Sequence, residues 1–334
     1  MGQPESRPTH RRTTGKFENT NNKGLRLPIG LKFEGSTSYS NGLMQMLYFI
    51  PKLRNAVYIV ANEKNPDKKV SSMLEELFRK MDDSKGPVGT SKLKEIYKWE
   101  TFENDIGLDG FGLLYFILPT LEEEMKGTSV QDVIPSMFEG ELLNYIRCFD
   151  VEFTKQWKEK FHALHLHNSK GLIDSLHKFI EPEIQDGEHK VRTDIHGLQE
   201  GERGVKLLTL SPILCLYSER YRKKFLEPYE FSRKLELDEF LDIPDPNDKA
   251  TYVLHSLLIH RCKLDGENSD GNYHAFIDPK CDGNWFVFDH ELVEKSAEEE
   301  MLREGFGGVI DGQLYRPYFF FYIRESKINE ILLG

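Results

Sequence analysis

Residues 35–41 read Gly35-Ser36-Thr37-Ser38-Tyr39-Ser40-Asn41 and run directly into an apolar segment, Gly42-Leu-Met-Gln-Met-Leu-Tyr-Phe-Ile50. Leu43, Met46, Leu47 and Ile50 recur at helical spacing and Pro51 stops the run, so a helix is predicted here with Asn41 as its N-cap. A polar loop feeding a helix N-terminus is where a nucleophile gains ionised character, because the helix dipole favours negative charge at that end. Position 38 carries Ser38, so the candidate nucleophile at this helix start is a hydroxyl.

Outward from this stretch, residues 1–23 are polar, rich in Arg, Thr and Asn, and read as a disordered arm. Val70 to Met81 is predicted as an amphipathic helix closed by Gly86-Pro87, and Phe111 to Met125 as a further helix ended by Gly127. Past residue 130 the pattern turns to short β-rich segments. These are Glu141 to Phe153, Phe161 to His167 with period-two alternation, Leu207 to Leu210, Ile213 to Tyr217, Tyr252 to His260, Tyr273 to Ile277, Trp285 to Phe288 and Tyr318 to Ile323. A helical first third followed by mostly antiparallel sheet is an α+β arrangement. His165 and His167 share a strand face, but no further ligands stand in register, so a packing or solvated role is expected and no metal or cofactor is assigned.

With 334 residues, 39% of them apolar and 12% aromatic, the chain is long and apolar enough for a sizeable core. A formal charge of −11 argues against nucleic acid or an anionic membrane as the main partner. The cysteines Cys148, Cys215, Cys262 and Cys281 form no CxxC pair, so they read as buried or incidental thiols in a reducing compartment. No apolar run approaches the ~20 residues that span a bilayer, and the N-terminus has no signal-like apolar stretch. A soluble protein of the cytoplasm or nucleus is expected. Met1-Gly2-Gln3-Pro4-Glu5-Ser6 fits the loose myristoylation pattern at Gly2, a short pattern that decides nothing alone.

Residues 35–47 resemble the G-x-T-C-Y-x-N-x-x-x-Q-x-L signature of the ubiquitin-specific proteases, matched at Gly35, Thr37, Tyr39, Asn41, Gln45 and Leu47 but not at the cysteine. The resemblance continues through Gly30-Leu31-Lys32, Lys52 to Tyr58, Pro87 to Thr90, Trp99 to Thr101, Met125 to Thr128, His196 to Glu200, Leu235 to Leu241 and Tyr322 to Lys327, and is strongest with the herpesvirus-associated (HAUSP) branch of the family. It covers roughly 24–334 and implies a papain-like cysteine-protease hand: about 24–130 as helical thumb, about 131–240 as fingers and part of the palm, and about 241–334 as palm. The segment from Arg220 to Leu235, expected as a fingers hairpin, is shorter than in that branch.

The family's chemistry needs a Cys nucleophile, a His base, an acid that orients the base, and a polar donor for the oxyanion. Carried over by motif, the nucleophile position is Ser38 and the oxyanion-donor position is Phe33. The G-H-Y box stands as Gly271-Asn272-Tyr273, so Asn272 replaces the base, while Trp285-Phe-Val-Phe-Asp289 keeps the orienting acid as Asp289. The resemblance therefore implies a pseudo-deubiquitinase that binds ubiquitin, a ubiquitinated protein or another protein partner without hydrolysis. The ubiquitin-tail residues it implies are Asp109 in the altered box Leu108 to Leu113, Arg220, His260 and Tyr273. The competing reading is a deubiquitinase using Ser38 with His274, two residues beyond Asn272, and Asp289. It requires the segment Arg261 to Asp270, read as an insertion-rich loop, to rearrange the strand that follows.

Overall fold

The computed structural model describes residues 27–35, 38–63, 67–96, 110–219, 226–264 and 271–333. The expected arm, 1–23, lies outside these residues, as do Asp109 and Arg220. In chain order the helical part consists of α1 (Ser38–Tyr48), α2 (Pro51–Ala61), α3 (Lys69–Asp83), α4 (Ser91–Ile96), α5 (Gly110–Met125) and α6 (Val133–Phe138). There follow β1 (Gly140–Cys148), β2 (Thr154–Phe161), β3 (Leu164–Leu166), α7 (Leu172–Ile180), β4 (Glu183–Gln185), β5 (Val191–Thr193), β6 (Gly197–Gln199), β7 (Gly201–Thr209) and β8 (Ile213–Ser218). The last part holds β9 (Lys234–Glu236), β10 (Thr251–Lys263), β11 (Asn272–Ile277), β12 (Phe286–Asp289), β13 (Leu292–Lys295), α8 (Glu298–Phe306), β14 (Gly308–Ile310), β15 (Gln313–Arg324) and α9 (Ile328–Leu332). This is the α+β order expected from the sequence.

A large sheet in the order β13-β12-β11-β10-β15-β8-β3 carries the fold, with β9 and β14 added to β10 and β15. Its central strands are covered on both sides, so they read as continuous apolar runs rather than alternating ones: every residue from Leu314 to Ile323 is buried. Alternation survives in where each side chain goes. Phe319, Phe321 and Ile323 join Leu43, Leu47, Leu74 and Leu114 of the helical layer. Phe320 and Tyr322 join Leu172 and Leu176 of α7 and Met301 of α8 on the other face. Each fully buried aromatic of this size contributes roughly 1.5–3 kcal/mol. A separate sheet, β2-β1-β7-β4, extends from this body, and β5 and β6 pair with one another.

The alternating stretch 161–167 is not one strand. Phe161 ends β2 in the four-stranded sheet, opposite Gly140, whereas Leu164–Leu166 lies parallel to β8 in the large sheet. The period-two pattern spans a change of sheet at His162-Ala163, which no single-strand reading detects. The segment from Arg261 is also not all loop, since β10 runs on to Lys263 and sets Arg261 opposite Asn272.

Helix α1 begins at Ser38, four residues earlier than an Asn41 N-cap would allow, and it is buried from Ser38 to Leu47. Asn41 therefore lies inside the helix, where its side chain has a longer-range task. Its Nδ2 donates to the Lys32 carbonyl at 2.9 Å and its Oδ1 accepts from Thr90 Oγ1 at 3.1 Å. One turn on, Gln45 Nε2 donates to the Ile29 carbonyl at 2.8 Å. These two amides stitch the extended strap 27–34 along the helix and satisfy polar groups that burial would otherwise leave costly.

The strap is held from its other side by Leu31 N–H donating to the His290 carbonyl (2.9 Å) and by Lys32 N–H donating to the Val88 carbonyl (2.8 Å). A Cβ on Gly30 would lie 2.5 Å from the Glu291 carbonyl oxygen and 2.6 Å from that of His290. Both obstacles are backbone and cannot swing aside. Gly30→Ala is expected to lower stability by about 1–3 kcal/mol, the usual range for overpacking, read from the urea midpoint at unchanged m-value.

Candidate active site

Ser38 occupies the first position of α1 with a side chain only 6% exposed, so its hydroxyl stands at the positive end of an eleven-residue helix. The helix is seated closely. A Cβ on Gly42 would strike the Leu258 side chain of β10 and come within 3.8 Å of Ala275 Cβ on β11. The neighbouring Tyr39 ring meets Tyr273 of β11 edge-on at 6.1 Å, and Tyr273 packs in turn on Tyr318 at 5.1 Å. The sequence-derived nucleophile position and the G-N-Y box are thus joined through these aromatic rings.

Phe33, at the oxyanion-donor position, is 49% exposed and lays its ring against the His290 imidazole at 4.6 Å. Asn272 opens β11 and is exposed. Asp289 ends β12, and its Oδ2 accepts from Arg261 Nη2 at 3.1 Å, both side chains being largely buried. Arg261 is the residue that sequence reasoning misses here. It directly follows His260 on β10, and only the strand register, which sets it opposite Asn272, reveals that it points to the acid.

His274 engages elsewhere. It is 1% exposed, its Nε2 lies 2.8 Å from Glu304 Oε2 on α8, and its ring packs near Phe276 and Tyr315. Glu304 is itself 4% exposed, so this is an enclosed pair in the core. No sequence spacing links a β11 histidine to an α8 glutamate. His260 is likewise enclosed, 3% exposed, with its ring on Tyr273 at 4.7 Å. A Cβ on Gly271 would clash with its Nε2, so the glycine of the G-N-Y box is what lets the chain pass over that ring. Burial, with lesser contributions from Arg316 and His274, pushes His260 down to about 4, so it is neutral near neutral pH. His290, another residue the sequence does not single out, adjoins Asp289 with its Nε2 3.9 Å from Asp289 Oδ1, and burial lowers it also.

None of the four thiols replaces the missing nucleophile by its surroundings. Cys148, Cys215 and Cys262 are buried and Cys281 is half-buried. Burial pushes the Cys215 and Cys281 thiols well above their ordinary range, the opposite of an activated thiolate.

Ser38 at the start of α1, joined through Tyr39 to Tyr273 of β11, and Asp289 at the end of β12 set the candidate site on an α+β hand. The chain belongs to the ubiquitin carboxyl-terminal hydrolase family, whose profile matches residues 29–322. It is similar to ubiquitin carboxyl-terminal hydrolase 7 of Drosophila melanogaster, 33% identical over 320 residues that cover 91% of this chain and 28% of the fly protein. It is similar also to ubiquitin C-terminal hydrolase 12 of Arabidopsis thaliana, 33% identical over 91% of this chain and 30% of the plant protein. Ubiquitin carboxyl-terminal hydrolase 15 of Schizosaccharomyces pombe is 29% identical over 95% of this chain and 30% of its own length. The chain thus spans under a third of each of these relatives. Among the described residues no helix is long and apolar enough to cross a membrane.

Two measurements check this geometry. In a double-mutant cycle with Arg261→Met and Asp289→Asn, urea unfolding is expected to give a coupling of about 0.5–3 kcal/mol, whereas a pair that is not formed gives none. The second concerns pH. His255, held at about 4 by burial, and His260, also at about 4, have folded values below the ordinary 6.5. The unfolded chain therefore binds more protons between pH 6.5 and about 4. Stability is expected to fall as pH falls through that window, by up to about 1.4 kcal/mol per pH unit for each histidine. His260→Gln should flatten the slope.

Proposed function

We propose that this chain is a catalytically silent member of its family that binds ubiquitin or a ubiquitinated protein without hydrolysing the bond. The observation that carries the reading is the 3.1 Å pair of Arg261 with Asp289. In the family mechanism that acid accepts a hydrogen bond from an imidazole and stabilises it when it takes up a proton. Here a permanently charged guanidinium holds the acid, and Asn272, at the base position, has an amide that cannot take up a proton near neutral pH. Ser38 is left with a hydroxyl that ionises far less readily than a thiol and depends more on a base. Removing either nucleophile or base from a serine protease lowers turnover by about 10⁶-fold. The route through Ser38, His274 and Asp289 meets a separate obstacle, because the Nε2 of His274 is engaged by Glu304 in the core.

Support for binding comes from the preserved frame. The strap and the contact of Tyr39 with Tyr273 hold α1 against its neighbours although the residues at the reactive positions differ from the family's. We assign Tyr273, partly exposed at the cleft, to the ubiquitin-tail channel, with Asp109 and Arg220 as further contacts and His260 as the packing support beneath Tyr273.

Two experiments test the reading. Isotope-labelled ubiquitin titrated with the chain should show saturable shifts that weaken in Tyr273→Ala; unchanged spectra at high micromolar chain would remove the binding role. A repair series tests the silence. Ser38→Cys alone should remain at background on a ubiquitin–fluorophore substrate. Adding Asn272→His and Arg261→Ala should raise turnover over Ser38→Cys by about 10²-fold or more, the contribution of a general base. Full activity in Ser38→Cys alone would show that only the nucleophile is missing.

A further inference from the structure

A second cluster of chemistry-bearing side chains lies away from the cleft, where helix α5 meets the root of the β1–β2 hairpin. Glu139 directly precedes β1 and His162 directly follows β2. The last register pair of these strands is Gly140 with Phe161, so Glu139 and His162 stand one step beyond it, facing each other. Glu122 arrives from α5. Seven residues earlier on the same helix face, Tyr115 donates its hydroxyl to the Ala163 carbonyl at 2.9 Å and pins the helix to the residue after His162. Three separate segments thus converge through backbone geometry that is already fixed.

One ligand atom from each of Glu122, Glu139 and His162 lies within 4.8 Å of the other two, and all three residues are half-buried. His162 Nε2 lies 3.6 Å from Glu122 Oε2, beyond hydrogen-bond reach, and is a solvent-shielded nitrogen with no hydrogen-bond partner. A shielded polar atom without a partner is costly and calls for an explanation. Donors on one tetrahedral zinc stand about 3.3 Å apart, given bond lengths of about 2.0–2.2 Å. The His162–Glu122 spacing is close to that already. Glu139 also pairs through its Oε1 with Lys160 Nζ at 2.9 Å.

We propose that Glu122, Glu139 and His162 form a binding site for a divalent transition-metal ion of the zinc class, with water completing the coordination. One imidazole and two carboxylates suit such an ion better than magnesium or calcium, which take oxygen ligands almost exclusively. Its effect is mechanical: the ion ties α5 of the helical layer to the root of the hairpin. The proposal is independent of the reading of the cleft and uses none of its residues.

The test uses the full chain stripped of metal and titrated with Co²⁺, whose visible absorption reports a low-coordinate nitrogen–oxygen site, followed by displacement with Zn²⁺ and calorimetry. One equivalent should bind, Zn²⁺ should displace it, and Mg²⁺ or Ca²⁺ at equal concentration should not. Glu122→Gln and His162→Gln should each weaken Co²⁺ binding by more than about 10-fold, since even outer-shell changes cost that much. Glu122 is partly exposed, so its variant folds independently of the outcome, and circular dichroism checks this. His167→Gln serves as the control, because His165 and His167 both approach Glu219 (3.8 and 3.5 Å) without forming such a cluster. No cobalt spectrum, displacement by Mg²⁺ or Ca²⁺, unchanged binding in both Glu122→Gln and His162→Gln, or loss confined to His167→Gln would each overturn the assignment.

Discussion

The seating of α1 on the large sheet is the constraint on which the rest of the cleft depends. Gly42 has no side chain where Leu258 and Ala275 press in, so helix and sheet approach closely enough for Tyr39 to reach Tyr273. The same helix carries the two buried amides that fix the strap, and the strap carries Phe33 to the rim and borders the turn at His290. Ser38, the G-N-Y box and the Asp289 turn are therefore positioned by packing and hydrogen bonds that have nothing to do with reactivity.

What has changed forms a consistent electrostatic set. An acid with no imidazole to orient would be a half-buried charge in need of a partner, and Arg261 supplies one from β10, across the intervening β11. A histidine facing solvent or substrate would be poised to take up a proton, but His260 is neutral beneath Gly271 and His274 is enclosed with Glu304. Among the described residues, Asp289 is paired with Arg261 and His274 with Glu304.

Much of this was legible in the chain. The α1, α3 and α5 helices follow from 3.6-residue periodicity, and the late strands follow from β-branched and aromatic runs, because both patterns reflect which face is buried. The nucleophile, base and acid positions are what the resemblance implies by motif, with the register from Tyr273 to Trp285 read without a gap. Three features were not legible for physical reasons. Asn41 looks like an N-cap locally, yet its amide is recruited by the Lys32 carbonyl nine residues away. The alternation over 161–167 conceals a switch between sheets. The pairings of Arg261 with Asp289 and His274 with Glu304 join residues 28 and 30 positions apart across different elements, and only the folded register brings them together.

The proposed silence rests on several mutually consistent differences, at Ser38, Asn272, Phe33 and the Arg261–Asp289 pair, rather than on one substitution. The most direct measurement is turnover of a ubiquitin–fluorophore conjugate by the unaltered chain beside its Ser38→Ala and His274→Ala variants, at enzyme concentrations far above those used for active relatives. The expected result is a signal no greater than that of Ser38→Ala. Turnover in the unaltered chain that disappears in both variants would contradict the account and establish a serine-based triad on this fold.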